Sequence, residues 1–248
     1  MSNLEGKIAL VTGGSRGIGA AIAKSLASQG AAVAISYNSS PDRAQQVVEE
    51  ITANGGEAVA IQSNAASADG HQHLIEQVVN KWQKGIDILV NNAGVFAVGN
   101  LEDSGVDVYN QNFDLNVKGV YETTRAAVPH VNQHGRIINI GSSVSEYAFP
   151  GASAYVATKA AVAGLARSWA KELAPKQITV NTVNPGSINT EMNPDIPEND
   201  FAAFQKSLNP MGRYGTPEEI AAAVTFLAGP GASFITGATL NVDGGLTA

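Results

Sequence analysis

The chain has 248 residues, 44% hydrophobic and 15% charged, the make-up of a soluble globular protein large enough to bury a core unaided. It has no cysteine, which excludes a disulfide framework, thiol catalysis and cysteine-ligated metal, and suits a reducing compartment. A formal net charge of −7 argues against nucleic acid or an anionic membrane as the main partner.

The opening stretch, MSNLEGKIALVTGG, lacks the basic start and the apolar core of roughly 7–15 residues found in secretory signals. No later run approaches the ~20 apolar residues that span a bilayer, so the expectation is a cytoplasmic protein. Along the chain, short β-branched runs alternate with longer segments of helical period. Strands are expected at 7–12, 31–37, 57–62, 86–91, 136–141, 178–183 and 239–242. Helices are expected at 18–29, 42–54, 68–84, 108–131, 152–173 and 217–227. The strand runs lack strict alternation, as in a parallel sheet covered on both faces, and the rhythm is that of βαβ units. This predicts an α/β, doubly wound fold in one domain over residues 1–248.

The first strand runs into TGGSRGIG, Thr12–Gly19. Gly13, Gly17 and Gly19 permit a tight turn, close approach to a pyrophosphate and close helix packing, and the following helix offers free N–H groups to the anion. Ser15, Arg16 and Ile18 belong to the same loop. Gly13–Gly17 also reads as Gly-x-Ser-x-Gly, the nucleophile turn of some hydrolases. That reading leaves little sheet before Ser15, and two of the four histidines, His71 and His73, fall in a surface helix. After the second strand, NAD-binding proteins carry an acid for the ribose. Here Ser36, Tyr37, Asn38, Ser39 and Ser40 stand in its place, with no carboxylate before Asp42. Hydroxyls and an amide suit a 2′-phosphate, and Arg16 can pair with its charge, so NADP(H) is preferred over NAD(H).

At the end of the fourth strand, Asn91, Asn92, Ala93 and Gly94 read as a turn held by side-chain amides. Beyond the fifth strand comes GSSVSEYAFPGASAYVATK, Gly141–Lys159. Residues four apart share a helix face, which pairs Tyr155 with Lys159; Tyr147 finds Gly151 at the same spacing. A phenol of pKa about 10 is a poor base near neutrality, and an adjacent ammonium is expected to bring it down. Among Ser142, Ser143 and Ser145, position alone does not choose. Ser153 reads as a capping or first-turn residue. Residues 184–213, broken by four prolines, follow a strand's C-terminal end and read as a substrate lid holding a short helix.

TGGSRGIG, the NNAG turn, NVKG (Asn116–Gly119), Tyr155-x-x-x-Lys159 and Pro185-Gly186, in this order and spacing, resemble the short-chain dehydrogenases/reductases over essentially the whole chain. The nearest branch is that of 3-oxoacyl-carrier-protein reductases and carbonyl reductases. The resemblance implies a single Rossmann-type, doubly wound parallel sheet of about seven strands with helices on both faces. It also implies a nicotinamide cofactor and a homotetramer. It selects Ser142, thirteen residues before Tyr155, to orient the substrate carbonyl, with Ser143 as fallback. Lys159 is implied at the nicotinamide ribose, and Asn116 at a water in a proton relay. Cofactor contacts are implied for the glycine loop, for Tyr37, Asn38 and Ser39, and for Asn64 and Ala65 beside the adenine. Asn92, Ala93, Gly94, Tyr155, Pro185 and Gly186 join them, with Ile188 at the carboxamide and Thr190 at the pyrophosphate.

The expected reaction is NADPH-dependent reduction of a carbonyl compound to a secondary alcohol, with Tyr155 as acid/base and no metal. Phe96, Tyr147, Phe149 and Met192, beside Ser142, would line the substrate pocket. The stretch before the fifth strand, Pro129–His134, carries no lysine or arginine to meet an acidic carrier, so a small ketone or β-keto ester is favoured over an acyl carrier protein. A non-catalytic nucleotide-binding regulator is the reading of another class, disfavoured by the Asn116, Ser142, Tyr155 and Lys159 set.

Overall fold

The computed structural model describes residues 3–64 and 68–248, with the backbone alone at 68 and 69. Its strands are β1 (Ile8–Val11), β2 (Ala32–Tyr37), β3 (Glu57–Gln62), β4 (Ile86–Asn91), β5 (Val131–Ile140), β6 (Thr179–Pro185) and β7 (Thr239–Val242). They form one parallel sheet in the order β3-β2-β1-β4-β5-β6-β7. The helices are α1 (Gly17–Ser28), α2 (Pro41–Ala53), α3 (Ala68–Trp82), α4 (Val106–Phe113), α5 (Val120–Ala127), α6 (Ser153–Leu173), α7 (Asp200–Leu208) and α8 (Pro217–Ala228). Among the described residues no helix is long and apolar enough to cross a membrane.

The sheet is covered on both faces because its strands are apolar on both faces. In β1, Ala9 and Val11 join the core under α1, α2 and α8, while Ile8 and Leu10 join the core under α3, α5 and α6. Leu10, Ile22, Leu26 and Ile137 are fully buried, each worth about 1.5–3 kcal/mol by removal from water. Strand order reverses between β1 and β4, and the segments that follow the C-terminal ends of the two strands line one cleft. A crevice opens there, where ligands bind in sheets of this kind.

Two boundaries differ from the sequence reading. The helix expected at 108–131 is broken into α4, a π-helical turn at Asp114–Gly119, α5 and a 3-10 turn at Val128–His130. Pro129, with no N–H to give, ends the helical run, and β5 begins at Val131, pairing with Ile86 before a register shift. The sixth strand continues to Pro185, because Asn184 and Pro185 pair with Asn241 and Val242 of β7. The segment 184–213 does hold a short helix, α7, and Ile188 pairs with Gly215 across its base.

Candidate active site

The glycine loop is tied across the switch point to the turn after β4. Asn92 donates from Nδ2 to the Thr12 and Gly13 carbonyls (2.9 and 3.1 Å), and the Thr12 hydroxyl accepts from the Asn92 and Ala93 amides (both 3.0 Å). Gly13 lies at φ +64°, and a Cβ there would stand 2.9 Å from the Ala93 Cα. A side chain at Gly19 would overlap the Gly13 carbonyl oxygen and the Asn92 amide. The cradle is therefore kept bare. Arg16 precedes α1 without capping it through its side chain, so the first N–H groups of the helix stay open. A bare loop against an uncapped helix N-terminus fits the pyrophosphate of a dinucleotide. No histidine is among the described residues lining the cleft, and buried His71 pairs with the Thr123 hydroxyl (2.8 Å), so Ser15 has no base there for hydrolysis.

Opposite the loop, three elements converge. Ser142 follows β5, Tyr155 and Lys159 share one face of α6, and Phe96 follows β4. The Ser142 side chain stands near enough to the Tyr155 phenol to lower its pKa through hydrogen bonding. Lys159 is 7% exposed; its ammonium lies 5.6 Å from the Tyr155 ring centre and donates to the Ile140 carbonyl (3.0 Å). Burial pushes the phenol up to about 12, the Ser142 hydrogen bond pulling the other way, and burial pushes Lys159 down to about 8. This reverses the expectation that the ammonium draws the phenol down: both groups are so deeply buried that loss of hydration outweighs their attraction. At neutral pH the phenol keeps its proton, the state needed to protonate a carbonyl oxygen.

The three candidate hydroxyls now separate. Ser145 donates to the Ser142 carbonyl (2.8 Å) and accepts from Asn184 (3.3 Å), so it holds the loop. Ser143 is buried, and Ser142 is the serine that pulls on the Tyr155 phenol. Ser153 opens α6 without capping it, the cap position being Ala152. Asn116 lies in the π turn, buried behind the cleft wall. Its side chain accepts from the Val95 amide (2.8 Å) and donates to the Val95 carbonyl (2.9 Å), which fixes the chain leading to Phe96. Single π turns of this kind recur at functional sites.

Every other sequence-predicted cofactor and pocket residue in the described chain lines one cleft of about 1020 Å³. Ala65 lies outside the described residues. Tyr37, Asn38, Ser39 and Asn64 stand at the end of the cleft beyond the glycine loop, and Phe96, Tyr147, Phe149 and Met192 line the same cleft as Tyr155. The Phe96 ring meets Tyr155 edge-on at 4.8 Å and Phe149 at 6.4 Å. Sequence reasoning missed Phe201, Phe204 and Leu208, which line the cleft from α7. Their helical spacing inside the expected lid was the available signal. It also missed Arg43, in the first turn of α2, and Glu191, in the segment after β6; their pairing joins segments 148 residues apart, and no local pattern announces it.

A family model described as enoyl-(acyl carrier protein) reductase matches residues 13–247. A 3-oxoacyl-[acyl-carrier-protein] reductase of Synechocystis is 43% identical over 249 residues, covering 99% of this chain and 99% of the relative. A short-chain dehydrogenase/reductase from Serratia marcescens superposes with a TM-score of 0.96 at 48% identity, over 99% of this chain and 100% of that one. A short-chain dehydrogenase from Burkholderia cenocepacia, solved in complex with NADP, superposes with a TM-score of 0.95 at 44% identity, over 99% and 100%.

Proposed function

Because the chain belongs to the short-chain dehydrogenase/reductase family and is thus an NAD(P)-dependent oxidoreductase, we propose that it uses NADPH to reduce a small ketone or β-keto ester to a secondary alcohol. The observation that carries this reading is the meeting of Ser142, Tyr155 and buried Lys159 in the same cleft as the bare glycine cradle. The nicotinamide supplies the hydride when bound. Ser142 donates to the substrate carbonyl oxygen and orients it, and Tyr155 gives that oxygen its proton. Lys159, titrating near about 8, stands ready to replenish the proton. Asn116 keeps the Val95–Phe96 wall in register rather than touching the substrate.

Support for the phosphorylated cofactor is Arg16, which lines the cleft, and Arg43, which meets it at Glu191, with no carboxylate in the turn after β2. The Burkholderia relative was solved with NADP. Support for a small apolar substrate is the aromatic wall of Phe96, Phe149, Phe201 and Phe204.

A 3-oxoacyl-carrier-protein reductase is the second reading, favoured by the Synechocystis relative. An acidic carrier needs free cations at the cleft mouth, yet Lys206 and Arg213 of the lid region are already paired with Asp195 and Glu219 (both 2.6 Å). A purely regulatory nucleotide binder would have no use for the Ser142–Tyr155–Lys159 arrangement. A cytoplasmic homotetramer completes the proposal. The exposed Tyr109, Tyr121, Phe226 and Phe234 supply apolar surface for assembly.

The test is oxidation of NADPH, and of NADH, against simple ketones, β-keto esters and carrier-linked substrates. Wild type is expected to prefer NADPH with free ketones. Tyr155→Phe should lower kcat by about 10²–10⁴ while leaving NADPH binding within a few-fold. Equal rates for the two proteins would overturn the mechanism, and turnover of carrier-linked substrate alone would favour the second reading.

A further inference from the structure

We infer that Glu191 sets cofactor specificity: its carboxylate occupies the arginine pair that would receive the 2′-phosphate of NADP(H), so lid carboxylate and cofactor phosphate compete for the same two cations. The inference rests on the proposed cofactor end of the cleft.

Arg16 arrives from the glycine loop and Arg43 from the first turn of α2, three residues after Ser40. Arg16 Nη1 lies 3.2 Å from one Glu191 oxygen, and Arg43 Nη1 lies 2.7 and 2.6 Å from the two oxygens. These contacts hold the Glu191 carboxyl below the usual carboxylate range, Arg43 having the larger effect. Ser40 makes no side-chain cap on α2, which leaves that helix N-terminus open toward the same place. Two guanidinium groups, an open helix end and neighbouring hydroxyls make an anion site, and an anion of this chain is already in it.

Glu191 is held there by its backbone. Thr190 and Asn193 close a short turn by reciprocal hydrogen bonds (3.3 and 3.1 Å), and the Thr190 methyl group lies against Gly17 of the glycine loop. The three charged side chains are each about half exposed (57, 49 and 56%), open to an entering ligand. A phosphate on the same arginines would meet the carboxylate as a like charge and must displace it. NADH brings no charge to this spot, so Glu191 does not oppose it.

Exposed ion pairs of this kind are each worth roughly a factor of 1.5 to 5 in an equilibrium constant. With two pairs to break, Glu191→Gln should tighten NADPH binding about three- to tenfold. The measurement is titration of the cofactor-free protein with NADPH and with NADH, followed by fluorescence or calorimetry, in low and high salt. Expected are a lower Kd of E191Q for NADPH, an unchanged Kd for NADH, and a smaller difference in high salt. Arg43→Ala should weaken NADPH by a similar factor and leave NADH alone. An E191Q Kd for NADPH that is unchanged or higher overturns the inference, since the carboxylate would then be neutral or would hold the arginines ready. An equal gain for NADH overturns it too, because the effect would be general to the lid. If wild type binds NADH as tightly as NADPH, the cofactor reading itself falls and takes this inference with it; NADPH preference with an indifferent E191Q removes this inference alone.

Discussion

Replacing Lys159 by methionine should abolish reduction and yet stabilise the folded protein. The ammonium is buried, and its pKa falls from 10.5 to about 8 on folding. That difference corresponds to roughly 3 kcal/mol given up by the folded state at neutral pH to keep the group charged. Methionine fills a similar volume with no charge, but it leaves the Ile140 carbonyl without its 3.0 Å donor, which costs about 1–2 kcal/mol. The net gain is about 1–2 kcal/mol, or roughly 2–8 °C in Tm for a chain of this size. The sign with pH follows from the lowered value. Below about pH 8 the lysine is charged in both states, and the folded protein bears the whole penalty. Between about 8 and 10.5 the folded lysine is neutral while the unfolded one still holds a proton, so wild-type stability rises with pH. Tyr155, raised to about 12, acts oppositely above the ordinary phenol value of 10.0, and it does so in both proteins. The assay is thermal and denaturant unfolding of cofactor-free wild type and Lys159→Met from neutral pH to about pH 10. A variant no more stable than wild type at neutral pH, or one whose advantage does not shrink as pH rises, would refute the reasoning.

Gly13→Ala forces a side chain into a left-handed backbone conformation and to 2.9 Å from the Ala93 Cα, so stability should fall by about 2–3 kcal/mol and dinucleotide affinity by more than about tenfold. Unfolding curves and cofactor titration check this, and an alanine variant that binds normally would deny the cradle its role. Asn184→Ala removes the amide that joins Ser145 to the Asn241 side chain (3.3 and 3.1 Å), so kcat should drop several-fold through a looser Ser142 loop, with stability lower by about 1–2 kcal/mol. Steady-state kinetics beside unfolding measurements separate the two effects, and an unchanged kcat would show that Ser145 holds the loop without Asn184.

Much of the site was legible because its chemistry is carried by residues close in sequence. Gly13, Gly17 and Gly19 sit in one loop, and Tyr155 and Lys159 are four apart on one helix, so local geometry already brings them together. The break in the helix at Asp114–Gly119 was not legible. Asn116 there bonds the Val95 backbone, 21 residues away, and helix propensity carries no record of such a partner. The choice of Ser142 over its neighbours came from resemblance; in the fold Ser142 is the serine that acts on the Tyr155 phenol, while Ser145 turns back to the loop.

From the sequence alone came the alternation of strand and helix, the bare glycine loop and the tyrosine–lysine pair. Each depends on period, turn chemistry or short spacing, which are properties of neighbouring residues. Tertiary structure decided the protonation of that pair, because burial is a property of the whole fold: packing Tyr155 and Lys159 beneath β5 and the Phe96 wall strips their water and moves both pKa values toward the neutral forms. It decided as well that Arg16, Arg43 and Glu191 meet, since only the winding of the chain brings the segment after β6 to the start of α2.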